Sequence, residues 1–180
     1  MFFDLDALTK EQLLALLGAA RAHRERDWLM ILVAYSHGLR ASEVVHIQAE
    51  DVQDGHLTVS RLKGSLRTVQ PLVSDENPLL DEARGLSDYL RLPLRNQRLF
   101  PVTRQQFGRI VARHGRTAQI PARLAHPHIL KHTLAMQTIH SAGIENVRQY
   151  LGHKSMSSTG EYLKLSDAEA AAAIQKALKV

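Results

Sequence analysis

Apolar positions in the first part of the chain recur at helical spacing. Leu13, Leu14, Leu16 and Leu17 follow Thr9-Lys10-Glu11-Gln12, a capping-box pattern, and predict an amphipathic first helix. Asp27 to Tyr35 is apolar nearly all round, which predicts a buried helix, and Gly38 stands where a left-handed cap would end it. Arg40 falls just past that stop, and Ala41 to Ile47 resumes helical spacing through Val44, Val45 and Ile47. The period then changes. Asp54-Gly55 is a hairpin signal, and the alternating stretches Leu57 to Leu62 and Thr68 to Val73 predict a small antiparallel sheet with Lys63 near its turn and Pro71 on an edge strand. Helical spacing returns over Glu76 to Leu92 and Thr103 to His114, separated by Pro93 and Pro101. Three further helices are predicted over Ile129 to Ser141, Ile144 to Leu151 and Met156 to Leu163, the first two closed by Gly143 and Gly152. Ser166-Asp167-Ala168-Glu169 opens an Ala-rich terminal helix whose apolar face is small. The pattern is that of a mainly α chain with one small sheet.

Composition adds limits. A chain of 180 residues with 44% hydrophobic residues is most simply one domain around one core. It has no cysteine, which excludes disulfides and thiolate metal sites. No apolar run is long enough to span a bilayer and the start has no charged leader, so a cytoplasmic protein without membrane contact is expected. The net charge of +5 is unevenly placed. Between Tyr89 and Ile144 there is no Asp or Glu, while Arg91, Arg95, Arg98, Arg104, Arg109, Arg113, Arg116, Arg123 and Lys131 give nine positive charges; the remainder carries −4. A face that only needed solvation would mix signs, so this span points to a polyanion.

Candidate chemistry is densest from His126 to Tyr162, which holds His128, Lys131, His132, His153, Lys154 and Tyr162. There is no H-E-x-x-H, no acidic pair with metal-ligand spacing, no phosphate loop ending in Lys-Ser/Thr and no G-x-S-x-G, which argues against the common metal- and nucleotide-dependent enzymes. What remains suits the binding of a phosphate by charge and its attack by a phenol.

Three blocks in order, G-L-R-A-S-E at Gly38 to Glu43, H-x-L-K-H at His128 to His132, and L-G-H at Leu151 to His153 with Tyr162 nine residues on, resemble the tyrosine recombinase (phage integrase) family; Arg61-Leu62-Lys63-Gly64 is a weaker fourth match. The resemblance implies that family's catalytic-domain fold, mainly α with a small three-stranded antiparallel sheet. It also implies site-specific cleavage and rejoining of double-stranded DNA without metal or other cofactor. Tyr162 would attack the scissile phosphate to give a 3′-phosphotyrosyl link and a 5′-hydroxyl. Arg40 and His153 would hold the phosphate, His128 would accept the proton of the phenol, Lys63 would protonate the leaving oxygen, and Glu43 would position Arg40. Preorganised cations aimed at the charge that develops on the phosphate would replace a metal. His132 is expected to pack within its helix, and His126, His140 and Lys154 to lie on the surface.

One position departs from the family. Lys131 stands where Arg is usual, and an ammonium keeps the charge but loses the planar fork that holds two phosphate oxygens, so weakened chemistry is expected. The alternatives are a catalytically impaired, recombinase-derived DNA-binding protein and a type IB topoisomerase-like activity. Residues 1–180 are expected to form one catalytic domain lacking the family's N-terminal core-binding domain. It would be monomeric when free and tetrameric on paired DNA, with residues 166–180 as an exchanged arm.

Overall fold

The computed structural model describes residues 7–60, 67–92 and 97–152. The capping box forms as the sequence predicts: Thr9 Oγ1 accepts from Gln12 N at 3.2 Å and Gln12 Oε1 from Thr9 N at 3.0 Å, opening α1 (Lys10–His23), which runs on through Gly18. Its buried stripe, Leu13, Leu16, Leu17 and Ala20, lies on α2 (Glu25–Ser36). Nine of the twelve residues of α2 are buried, and it touches α1, the short α3 (Ala41–Val44), α4 (Glu82–Leu90) and α6 (Pro127–Ala142). Burying one large aliphatic or aromatic side chain contributes roughly 1.5–3 kcal/mol. Trp28 to Ala34 therefore concentrate the hydrophobic stabilisation in this one helix. Polar groups anchor it as well. Trp28 Nε1 donates to Leu79 O at 3.0 Å. Buried Asp27 accepts from Arg26 at 2.8 and 3.1 Å and meets His114 Nε2 at 3.1 Å, stapling α2 to α5 (Arg104–Thr117).

The Asp54-Gly55 turn, with φ of 50° and 71°, joins β1 (Val52–Gln53) to β2 (His56–Val59), and β2 pairs antiparallel with β3 (Thr68–Pro71). The order β1-β2-β3 leaves β3 at an edge, as Pro71 requires. Leu57, Val59, Thr68 and Gln70 are buried; Gln70 lies opposite Leu57. The expected helix from Glu76 begins later, as α4 (Glu82–Leu90). Pro78 and local side-chain caps hold the intervening residues in turns: Asp75 Oδ1 accepts from Asn77 N and Asn77 Oδ1 from Leu79 N. Likewise the helix expected over Ala41 to Ile47 stops at Val44 and is followed by a 3₁₀ turn at Ala49–Asp51. Pro127 opens α6 (Pro127–Ala142) at its first position, and Gly143, with φ 80°, turns the chain into α7 (Ile144–Tyr150). Ala135, Ile139, Val147 and Leu151 form a second small core between these two helices. Thr133 Oγ1, within α6, accepts from Leu8 N at 2.9 Å and ties the start of the described chain to it.

Candidate active site

Arg40 is the residue before α3, held by its own helix. Glu43 Oε2 accepts from Arg40 N at 2.7 Å, and Oε1 lies 3.3 Å from Arg40 Nη1. Glu43 is 3% exposed, whereas 38% of the Arg40 side chain is open. A buried carboxylate thus meets one edge of a guanidinium on a side chain that is 38% exposed.

Arg40 lines a groove of about 430 Å³ together with Ala41 and Ser42, the start of α5 (Arg104, Gln105, Gly108) and the start of α6 (His126, Pro127, His128). Two arginines and two histidines from three elements converge there. His128 opens onto the groove, yet partial burial of the ring, and then the charges of His132, Lys131, His126 and Arg40, lower its pKa to about 4. It is therefore a neutral imidazole at pH 7, able to accept a proton. His132, one turn further along α6, stands edge-on to it with ring centroids 4.3 Å apart. A larger, apolar cleft of about 590 Å³ lies between α1, α2, α6 and α7. Its lining is mostly aliphatic with scattered polar groups, whereas the smaller groove is lined by two arginines and two histidines.

Lys131 reaches the end of α7. It is 2% exposed, and Nζ donates to Leu151 O at 3.2 Å. The Arg40 turn reaches that same place. Tyr150 OH donates to Ser36 O at 2.9 Å, and Gly38, with φ 58°, packs so closely on Leu151 that a Cβ would overlap Leu151 Cδ2. The first and third sequence blocks therefore meet in space, Gly38 against Leu151. Lys63, His153 and Tyr162 lie outside the described residues, as do Lys154 and the helices expected over 156–163 and 166–180.

Arg104 and Gln105 went unnoticed as groove residues in the sequence, and His126, expected on the surface, joins them. The acid-free span was the available signal for Arg104. A buried polar group formed by His37, Gln70 and Glu82 was also missed, and nothing in the spacing of these three announces it. Among the described residues, His23, Asp27 and His114 bring three ligand-type atoms within 4.8 Å of one another. Burial works to raise the Asp27 carboxyl, but hydrogen bonds from His114 and Arg26 outweigh it and hold the group below the ordinary range. With both oxygens so engaged, the cluster reads as an ionic staple. No described helix is long and apolar enough to cross a membrane.

The sequence matches the phage integrase family over residues 6–169. It is 32% identical over 149 residues to the type 1 fimbriae regulatory protein FimE of Escherichia coli K12, covering 76% of this chain and 73% of that protein. The fold superposes on the crystal structure of XerA recombinase with a TM-score of 0.76 at 23% identity, over 94% of this chain and 64% of that one. It also superposes on a λ integrase tetramer bound to a Holliday junction, with a TM-score of 0.65 at 19% identity, over 89% and 50%. The chain thus spans about two thirds of the solved XerA chain and half of λ integrase. With its sequence matched almost end to end and its described residues folded as those recombinases are, the chain belongs to the phage integrase family, as a tyrosine recombinase catalytic domain.

Proposed function

We propose that the chain cleaves and rejoins double-stranded DNA through a covalent 3′-phosphotyrosyl link made by Tyr162. The observation that carries this reading is the groove in which Arg40 and a neutral His128 meet although 88 positions separate them in sequence. Arg40, steadied by Glu43, neutralises the charge that builds on the non-bridging oxygens. His128 accepts the phenolic proton, since a free phenol, with a pKa near ~10, is a weak nucleophile at neutral pH. Lys63 gives a proton to the leaving 5′-oxygen, and His153 hydrogen-bonds the phosphate. Attack by a partner strand's 5′-hydroxyl then reverses the step. The λ integrase tetramer on a Holliday junction supports DNA as the partner and self-association as the working state; that residues 166–180 are the segment exchanged between copies belongs to the same proposal. The deciding experiment is covalent trapping on nicked duplexes from the DNA flanking the coding sequence. A protein–DNA band on a denaturing gel that disappears with Tyr162→Phe upholds the reading; a band that persists in Tyr162→Phe removes Tyr162 as nucleophile.

A second reading, a DNA-binding protein of impaired chemistry, follows from Lys131 itself, because an ammonium lacks the planar fork with which Arg holds two phosphate oxygens. Salt-sensitive binding with no adduct on any flanking duplex would select it.

A further inference from the structure

Gln70 is a polar side chain on the buried side of the sheet, opposite Leu57, and both ends of its amide are used. Nε2 donates to Tyr150 O at 2.6 Å, and Oε1 lies 2.6 Å from His37 Nδ1. A backbone carbonyl only accepts, so the amide can sit only one way round, and His37 Nδ1 must carry the proton between them. On the other side of the ring, Nε2 lies 3.0 Å from each oxygen of Glu82, whose Oε2 also accepts from Val73 N at 3.1 Å. A hydrogen bond on that side requires one proton between the ring nitrogen and the carboxylate. The His37–Glu82 pair is then neutral as a whole, which permits both members to be fully buried.

The positions of this relay give it meaning. His37 stands three residues before Arg40, and Tyr150 three residues before His153. A leucine at Gln70 would fill similar space on an apolar sheet face, but it would let the two turns slide. Hydrogen bonds of fixed direction do not. We propose that Gln70, oriented by His37 and Glu82, is a positioning residue that sets the separation of the Arg40 turn from the turn leading into His153, so that both reach one phosphate. This rests on the strand-cleavage reading above.

The test uses the full chain with Gln70→Leu and Gln70→Glu; the second keeps the acceptor for His37 but loses the donor to Tyr150 O. Asp27→Asn, in the distant α2–α5 staple, controls for lost stability. Single-turnover adduct formation on the nicked flanking duplex, affinity for the same duplex, and hydrogen exchange at the Leu39 and Leu151 amides are read well below each melting temperature. Both Gln70 variants should form adduct about 10- to 100-fold more slowly, the scale of a misplaced catalytic group. Their DNA affinity should stay within about twofold, and exchange should rise at both amides together. Asp27→Asn should melt earlier yet cleave at the unmodified rate. Cleavage by either folded Gln70 variant within twofold of the unmodified chain overturns the proposal, as does equal slowing in Asp27→Asn. If the unmodified chain forms no Tyr162-dependent adduct, strand cleavage itself fails, and exchange decides alone: a joint rise upholds the coupling of the turns, and a rise at one turn overturns it.

Discussion

His128 shows how neighbours choose a side chain's chemistry. An unperturbed histidine is half protonated near pH ~6.5, but partial burial and the surrounding cations bring this one to about 4. The groove therefore keeps its proton acceptor as pH falls through 6.5, and adduct formation should decline only on approach to about pH 4. A side-chain NMR titration should give the same midpoint, and His132→Asn should raise it more than Arg40→Ala, since His132 is the nearer and stronger influence. A decline centred at 6.5 would remove His128 from this role. The sign for stability follows from linkage. The folded chain takes up this proton less readily than the unfolded one, so the His128 contribution is fully present above pH ~6.5 and is lost as pH falls toward about 4, shallowly because the ring is open to solvent. Lys131 is held by another kind of contact. Its amine donates to a backbone carbonyl, Leu151 O, at 3.2 Å. Lys131→Met should cost about 1–3 kcal/mol in chemical denaturation by leaving that carbonyl unsatisfied, and it should shift the His128 titration upward by removing one cation. Arg40, Glu43 and His128 stood out in the sequence through the blocks they belong to, and the turn that brings Glu43 back to Arg40 N is a local fact. The destination of a long flexible side chain such as Lys131 is not local.

At the scale of elements, the boundaries marked by Gly38, Gly143 and the Asp54-Gly55 turn came through, whereas apolar spacing overran the end of α3 and the start of α4. Gly38 ends α2 in the left-handed region, and the Asp54-Gly55 turn forms the hairpin that its residue types require. The start of α4 was misjudged because Asp75 and Asn77 offer their side chains to nearby amides and so stabilise turns where apolar spacing alone permits a helix. Gly38 joins two such elements, and its replacement separates two costs. Gly38→Ala places a side chain at φ 58° and drives a methyl group into Leu151. Left-handed strain and overpacking each cost about 1–3 kcal/mol, so the variant should lose roughly 2–4 kcal/mol in urea denaturation, part of the strain being relieved as α7 shifts. Gly38→Ala combined with Leu151→Ala should regain the overpacking share but keep the backbone share. If the double variant is no more stable than Gly38→Ala alone, the contact between the two turns is not what the glycine serves. The relay through Gln70 was invisible at this scale too, since it requires β3, α4 and the end of α7 to have arrived already at one spot.

The whole molecule is polarised by the span from Tyr89 to Ile144, and α5 shows how that charge is presented. Phe107, Ile110, Val111 and His114 are buried, while Gln105, Arg109, Arg113 and Arg116 are exposed at spacings of four, four and three, the period of one helix face. The same helix begins at the groove beside Arg40 and His128. A phosphate backbone following this face would run directly into the site. Each phosphate neutralised releases condensed counterions, so the logarithm of affinity falls with the logarithm of salt by about 0.9 per contact on duplex DNA. If Arg109, Arg113 and Arg116 each meet a phosphate, replacing all three by Gln should flatten the slope by nearly 3. Arg84 and Arg91, at the start and end of α4, provide the comparison. Paired Gln variants there should leave the slope nearly unchanged, because that helix does not line the groove. A triple α5 variant with an unaltered slope would show that the acid-free span serves something other than the duplex backbone. A flattened slope with loss confined to particular sequences would show that these arginines read base edges as well as phosphates.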